Sequence, residues 1–381
     1  MVRLGIVGCG DVLSRSYVEG LAAVRPDAVV VACCDVAAER REHAAALCAD
    51  LGHRPRTYAS LTDMLDEAAL DGLLNLTPAP AHAEVTAAAL AERVHVYSEK
   101  PLAGSVQGAL DLVEHATAAG RLLLCAPASM AASCLRWMSG VIREGRLGRP
   151  TLAVSQLGTL GPAAWRIYTG DSRVFYTRRV GPVVDLGIYA LHCVTGLLGP
   201  ASRVHAIGST GIPRRPVLAG KGIGDELEVD SPDHVLMQLD MSSGAQAQVL
   251  ASFAMPATRA PFLEVHCTHG TLSLREPFRA NAAVDAWLAD DRPLPLEGWL
   301  AGANGTFPPS PVEDLIACGV VHFVRCILGL EQPLLTARHG VHALEMAEAA
   351  RQSMAGGEPV RLATSFESPH DTTPRDAHVL S

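Results

Sequence analysis

The chain has 381 residues, of which 49% are hydrophobic and 19% charged, and a formal net charge of -9. Its length suits two domains, because a single core seldom grows past roughly 250–300 residues. The acidic balance argues against a nucleic-acid partner, which would want a basic face, and no apolar run reaches the about 18 residues of a membrane span.

The predicted elements open with an apolar strand at Val2–Gly8. A strand so early leaves no signal-peptide layout, so a cytoplasmic location is expected. Helical spacing runs over Ser14–Val24. Ala28–Cys34 is an unbroken apolar run, as in a strand buried on both faces. Ala37–Leu51 reads as a helix ending at Gly52, and Leu61–Ala69 as a short one. Strands at Gly72–Leu76, Val94–Tyr97 and Leu122–Ala126 alternate with helices at Ala81–Ala91 and Val106–Ala119. Such alternation predicts a parallel sheet with helices on both sides.

After residue 130 the pattern changes. A helix at Cys134–Glu144 leads to a strand, then to a loop rich in Trp, Arg and Tyr from Gly161 to Val180. A helix follows from Gly181 to Leu198. Strand-like runs come next at Arg203–Gly208, His234–Asp240, Ala245–Phe253, Phe262–Thr268 and Thr271–Leu274. Strands in succession predict a largely antiparallel sheet. Helices at Val312–Leu328 and Arg338–Met354 close the fold. Ten cysteines, none in a CxxC pair, read as thiols in a reducing compartment. No zinc-like cluster is apparent, so no metal is expected.

The first strand turns through Gly8-Cys9-Gly10-Asp11-Val12-Leu13. Gly8 permits a tight turn, and Gly10 lets the backbone approach a pyrophosphate at a helix N-terminus. Leu13 stands where the dinucleotide fingerprint has its third glycine. Asp35 ends the second strand, where an acid can bind a ribose 2′-hydroxyl. It could equally cap the helix that starts at Ala37. A carboxylate there repels a 2′-phosphate, so NAD is expected ahead of NADP, with Arg40 and Arg41 on the next helix as the opposing signal. Thr77-Pro78 ends the third strand and His82 follows. In open α/β sheets ligands sit outside the carboxyl ends of the strands, so these turns are expected to line one crevice.

Lysine is nearly absent, with Lys100 and Lys221 against 29 arginines. Lys100 lies in Ser98-Glu99-Lys100-Pro101, directly after the fourth strand. Arginine stays protonated, whereas a lysine ammonium is compact and its pKa can be moved. A group that touches one hydroxyl oxygen and handles a proton is better as lysine. Farther on, Gly181-Pro182-Val-Val-Asp185-Leu-Gly-Ile-Tyr189-Ala-Leu-His192 opens a helix. Asp185, Tyr189 and His192 stand at i, i+4 and i+7, on one helical face. An acid, a phenol and an imidazole aligned among apolar residues are costly to bury without partners.

With the Glu-Lys-Pro motif and Asp185-x-Gly187-x-Tyr189 both present, the chain resembles the glucose–fructose oxidoreductase / inositol dehydrogenase / MocA-like family over residues 1–362. The resemblance implies a Rossmann domain with a parallel sheet over 1–126, binding NAD or NADP through Gly8, Cys9, Gly10, Asp11, Val12, Asp35, Thr77, Pro78, His82, Glu99, Lys100 and Pro101. It implies an α+β domain over 127–362 with a large, mostly antiparallel open sheet. That sheet would form the interface of a homodimer or homotetramer. The last helix, 338–354, would pack back on the first domain, and 363–381 is expected to be a disordered tail. Lys100 would be the catalytic lysine, Pro101 would shape its turn through a cis peptide, and Asp185 would be the substrate-binding acid. Tyr189 stands where some members carry a catalytic histidine, and His192 where some have a further substrate-facing residue. The departure at Tyr189 leaves Tyr189, Lys100 and a water held by His192 as alternative proton acceptors.

The expected reaction is the interconversion of a secondary alcohol and a ketone, and the many donors and acceptors suit a polyhydroxylated sugar or cyclitol. The loop carrying Trp165, Arg166 and Tyr176 would cover this substrate. Two rivals are a redox-neutral epimerase or glycosidase that retains NAD, and a non-catalytic protein that senses NAD or sugar.

Overall fold

The computed structural model describes residues 1–166, 168–288 and 299–367. Within it the chain forms two compact units. The first takes Met1–Ser133, Phe278–Asn281 and Pro309–Leu344; the second takes Cys134–Pro277, Ala282–Pro308 and the chain from Glu345 on.

The first unit holds six parallel strands: β1 (Val2–Val7), β2 (Ala28–Cys34), β3 (Arg56–Tyr58), β4 (Gly72–Asn75), β5 (His95–Ser98) and β6 (Leu123–Cys125). Their spatial order is β3-β2-β1-β4-β5-β6. The order reverses between β1 and β4, which pair directly, and a doubly wound sheet takes its ligand at such a switch point. The crossovers are helices α1 (Val18–Ala23), α2 (Ala38–Asp50), α3 (Leu61–Glu67), α4 (His82–Ala91) and α5 (Val106–Ala119). Serine caps start two of them: Ser60 Oγ accepts the Asp63 N–H and Ser105 Oγ the Gly108 N–H. Gly120, at φ +61°, ends α5. The edge strand β3 is missing from the sequence reading, because only one of its three residues is buried.

The second unit begins with α6 (Ser133–Arg143) and later carries α7 (Ile188–Leu198), which is buried on every side. Its nine-stranded sheet contains β7 (Pro150–Gly158), β8 (Ala201–Ser209), β11 (His234–Met241), β12 (Gln246–Ser252), β13 (Leu263–Cys267), β14 (Gly270–Leu274), β15 (Val284–Leu288), β16 (Trp299–Leu300) and β17 (Val360–Arg361). A separate ribbon pairs β9 (Arg214–Pro216) with β10 (Glu226–Glu228). The large sheet runs β16-β15-β14-β13-β7-β12-β11-β8-β17. Its paired strands are antiparallel except β7 with β12. Strands such as β7 and β11 alternate buried and mostly half-buried side chains, so one face packs more fully than the other. Ala363 and Thr364 donate backbone N–H groups to Glu345 at 2.8 Å; the rest of the expected tail, from residue 368, lies outside the described residues.

Helix α8 (Cys318–Ile327) returns to the first unit, where Phe323 is fully buried. A Cβ on Gly72 would stand 2.9 Å from the Phe323 ring. The helix starts six residues later than its apolar pattern suggests, because Asp314 Oδ1 takes the Ile316 N–H in a local turn. Helix α9 (Ala337–Gly356) places Val341 and Leu344 in the core of the first unit with Val96 and Leu123.

Candidate active site

The first half of the site is the turn after β1. Gly8 has φ +88°, and a Cβ there would lie 2.5 Å from the backbone of Leu76 and Thr77. Only glycine allows that turn and that approach. Gly10 is different: among the described residues, no atom lies within 4 Å of where its Cβ would be. That open space above a glycine at a helix start is what a pyrophosphate needs. The chain then makes a π-helical turn over Leu13–Tyr17 before α1. The third glycine's absence coincides with this turn, in which Leu13 is buried.

Asp35 is buried beside the turn. Its Oδ2 accepts the Cys9 N–H and its Oδ1 the Ala37 N–H, both at 2.9 Å. The carboxylate thus ties the glycine turn to the chain just ahead of α2, whose N-cap is Ala37 without a side-chain cap. Arg41 sends its guanidinium to the Asp35 and Val36 carbonyl oxygens. Asp11 forms an i,i+4 ion pair with Arg15 at 3.0 Å. Glycine turn, helix start and acid together fit a dinucleotide.

The second feature is the turn after β5. Glu99 Oε2 accepts the Lys100 N–H at 3.0 Å, and the Lys100–Pro101 peptide is cis. Glu99 N–H donates to the Asn75 carbonyl at 2.9 Å, which ties this turn to the end of β4. His82 is 2% exposed, with Nδ1 2.6 Å from the Pro101 oxygen and Nε2 2.7 Å from the Thr77 oxygen. The ring expected on a cofactor thus spans two backbone turns instead. Asn75, which the sequence reading passed over, completes the frame. Its Oδ1 accepts the Thr77 hydroxyl at 2.6 Å, and its amide donates to the His82 carbonyl and to Thr86. Nothing marks Asn75 in the sequence beyond a polar residue at the end of an apolar strand.

In the second unit, Gly181 at φ +55° leads into a second π-helical turn, Val183–Gly187, continuous with α7. Asp185 lies in that turn, so the simple i, i+4 spacing to Tyr189 passes through a wider helix. Asp185 is 7% exposed, Tyr189 8% and His192 0%. Burial lowers the His192 pKa to about 3. A wholly buried, neutral imidazole does not suit the water-holding role expected for it. Trp165 is half-buried and Arg166 exposed. Tyr176 is 1% exposed and belongs to the core: its hydroxyl accepts the Ala163 N–H at 3.0 Å and its ring packs on Phe253. Burial foremost raises its pKa, with the Asp185 and Asp233 charges adding to the rise.

Residues 2–126 match the model of an oxidoreductase family with an NAD-binding Rossmann fold, and residues 135–273 match the GFO/IDH/MocA C-terminal domain. The chain belongs to the Gfo/Idh/MocA family. It is an NAD(P)-linked oxidoreductase by that membership. A D-xylose 1-dehydrogenase (NADP(+)) of Haloferax volcanii is 26% identical over 95% of this chain and all of its own length. A 1,5-anhydro-D-fructose reductase of Ensifer adhaerens is 26% identical over 96% of this chain and all of its own. An NAD-binding oxidoreductase structure from Klebsiella pneumoniae matches with TM-score 0.79 at 22% identity, covering 96% of this chain and all of that one.

Within this Gfo/Idh/MocA chain, the loop of Trp165 and Tyr176 rests on a buried ion pair that the sequence did not announce. Arg215 meets Asp233 at 2.6 Å, with side chains 5% and 0% exposed. Asp233 also accepts the Gly211 and Ile212 N–H groups, and Arg215 donates to the Leu160 carbonyl. Arg173 and Arg178, in the same loop, pair with Asp225 and Asp230. Among the described residues, no group of three or more His, Cys, Asp or Glu could hold a metal, and no helix is long and apolar enough to cross a membrane.

Proposed function

We propose that this protein interconverts a secondary alcohol and a ketone on a sugar, sugar derivative or cyclitol, with NAD preferred over NADP. The observation that carries the proposal is the lysine turn. Lys100 follows β5, two strands from the glycine turn of β1 and at the same carboxyl edge of the sheet, and its neighbours Glu99 and Pro101 are both tied down. The bound nicotinamide supplies the acceptor or donor of hydride. Gly8, Cys9, Gly10, Asp11, Val12 and Asp35 would hold the dinucleotide, with Thr77, Pro78 and Glu99 beside it.

Lys100 polarises the reacting oxygen, and Lys100 with Tyr189 receives or returns its proton. Asp185 orients a neighbouring hydroxyl. Trp165 and Arg166 cover the substrate, while Tyr176 and His192 act from the core by fixing the elements around them. The xylose dehydrogenase and the anhydrofructose reductase support the sugar class. The partly exposed Leu152 and exposed Ile207, on the open sheet face, support a homodimer or homotetramer through that sheet. A cytoplasmic location belongs to the same reading.

The test is an absorbance assay of reduced nicotinamide, with NAD and NADP side by side against sugars, uronates, aminosugars and cyclitols. A hit that Lys100→Met abolishes establishes the activity and the substrate class. Ordinary turnover by Lys100→Met removes the assigned role. Silence across the panel with NAD retained in the purified protein points to the redox-neutral reaction instead.

A further inference from the structure

One buried hydrogen bond joins the helix behind the glycine turn to the lysine turn. Tyr17 closes the π-helical segment Leu13–Tyr17 and is fully buried, at 0% exposure. Its hydroxyl donates to Glu99 Oε1 at 2.7 Å. The other oxygen of the same carboxylate, Oε2, accepts the Lys100 N–H at 3.0 Å. One carboxylate is therefore held between a side-chain hydroxyl from the first crossover and the backbone of the lysine itself.

The Tyr17 ring is fixed from behind. It meets Tyr97 edge-on, with centroids 6.2 Å apart and planes at 64°, and Tyr97 packs on Phe323 at 6.1 Å. A Cβ on Gly319 would stand 2.2 Å from the Tyr97 hydroxyl, so α8 leaves room for that ring only by having glycine there. Burial first, and the Glu99 charge second, raise the Tyr17 pKa well above its ordinary value, which keeps the hydroxyl a neutral donor. Phenylalanine would fill the same space without the burden of a buried hydroxyl. The hydroxyl is explained by what it holds. A π-helical turn is a costly interruption of a helix and is frequent at functional sites.

We propose that Tyr17 is a positioning residue: it holds the Glu99 carboxylate, and through it the Lys100 backbone, in register with the cofactor turn. This rests on the reading of Lys100 as catalytic. The contact is to Glu99 and not to substrate or cofactor, so its loss acts first on the placement of Lys100 and changes turnover more than NAD affinity.

The experiment uses Tyr17→Phe in the full chain, with three measurements. Site-resolved hydrogen exchange of the cofactor-free protein reads the Lys100 N–H directly, since that N–H donates to Glu99; exchange there is expected to rise about tenfold. The kcat is expected to fall between about tenfold and a hundredfold, as for a misplaced catalytic group. The NAD dissociation constant by calorimetry is expected to stay within about threefold. Unchanged exchange at Lys100 with kcat within about twofold overturns the proposal. So does a rise in exchange spread over β5 and α1 with a lowered melting temperature, which would mark Tyr17 as a core residue only. If Tyr17→Phe does not fold, Glu99→Ala, which removes the acceptor of the Lys100 N–H, must raise exchange at Lys100, and its failure to do so overturns the proposal. Lys100→Met run in parallel separates the two readings: full turnover there removes the proposed function and leaves the exchange result standing.

Discussion

His82 and Pro101 are joined ring to backbone, with Nδ1 2.6 Å from the Pro101 oxygen, while the opposite ring nitrogen faces Thr77. The imidazole is thus a strut between the turn after β4 and the lysine turn. His82→Ala removes the strut and leaves the half-buried carbonyl oxygens of Thr77 and Pro101 without it. The expected cost is about 1–3 kcal/mol of stability. Turnover should fall by more than NAD affinity does. Thermal melts, steady-state kinetics and cofactor calorimetry on one preparation check this, and NAD affinity falling alone would return His82 to a cofactor contact.

Gly8 and Gly10 should separate folding from binding. Gly8→Ala drives a Cβ to 2.5 Å from the Leu76 and Thr77 backbone at a positive φ. A strained residue of this kind costs of order 1–3 kcal/mol or more. Gly10→Ala meets no described atom within 4 Å, so the fold should tolerate it. Its methyl would occupy the room left for a pyrophosphate. The expected result is a lowered melting temperature for Gly8→Ala, and a normal one for Gly10→Ala with NAD binding weakened at least about tenfold.

Asp233 should be the more damaging half of the buried ion pair. Asp233→Ala leaves Arg215 without its carboxylate and strips the acceptor from Gly211 and Ile212, whereas Arg215→Met leaves those two bonds in place. Removing one partner of a buried pair costs about 3–5 kcal/mol. Urea titrations should therefore rank Asp233→Ala below Arg215→Met, and equal losses would mean that the carboxylate serves the arginine alone.

His192 gives the fold an acid-sensitive element. Its pKa is about 3 in the native protein and near 6.5 in an unfolded chain. Its contribution is therefore complete above about pH 6.5 and drains away as the pH falls toward 3, because only the unfolded state takes the proton. The loss is at most about 1.4 kcal/mol per pH unit. Urea midpoints at pH 7, 6 and 5 should fall less steeply in His192→Gln than in the parent, and parallel slopes would assign the acid sensitivity to other groups.

The parallel sheet was legible because each central strand is an apolar run such as Ala28–Cys34, bounded by a glycine, an acid or a proline. The glycine turn and the lysine motif were legible because glycine and lysine do things there that other residues do not. Less was legible where long-range contacts decide. Strand β3 has one buried residue and β16 and β17 have two residues each, too short to show a period. Tyr176 lies in a loop whose polar composition suggests surface, yet its ring fills the space beside Phe253 and Gly161. Arg214 and Arg215 are adjacent in the sequence, and only the fold brings Asp233 to the second of them. Neither π-helical turn has a sequence signature, although one carries Tyr17 and the other Asp185.

The first unit is not finished when its sixth strand is made. Phe323 lies against Gly72, Thr336 bridges Leu124, and Val341 joins the core, all supplied by residues 309–344. During synthesis, 171 residues of the second unit, Cys134–Pro277 and Ala282–Pro308, therefore leave the ribosome before the first can close. Until then the face of β4 and the edge of β6 stay bare. A nascent chain of this protein carries its cofactor-binding half open for most of its translation, a period in which a chaperone has more to cover than the size of either unit suggests.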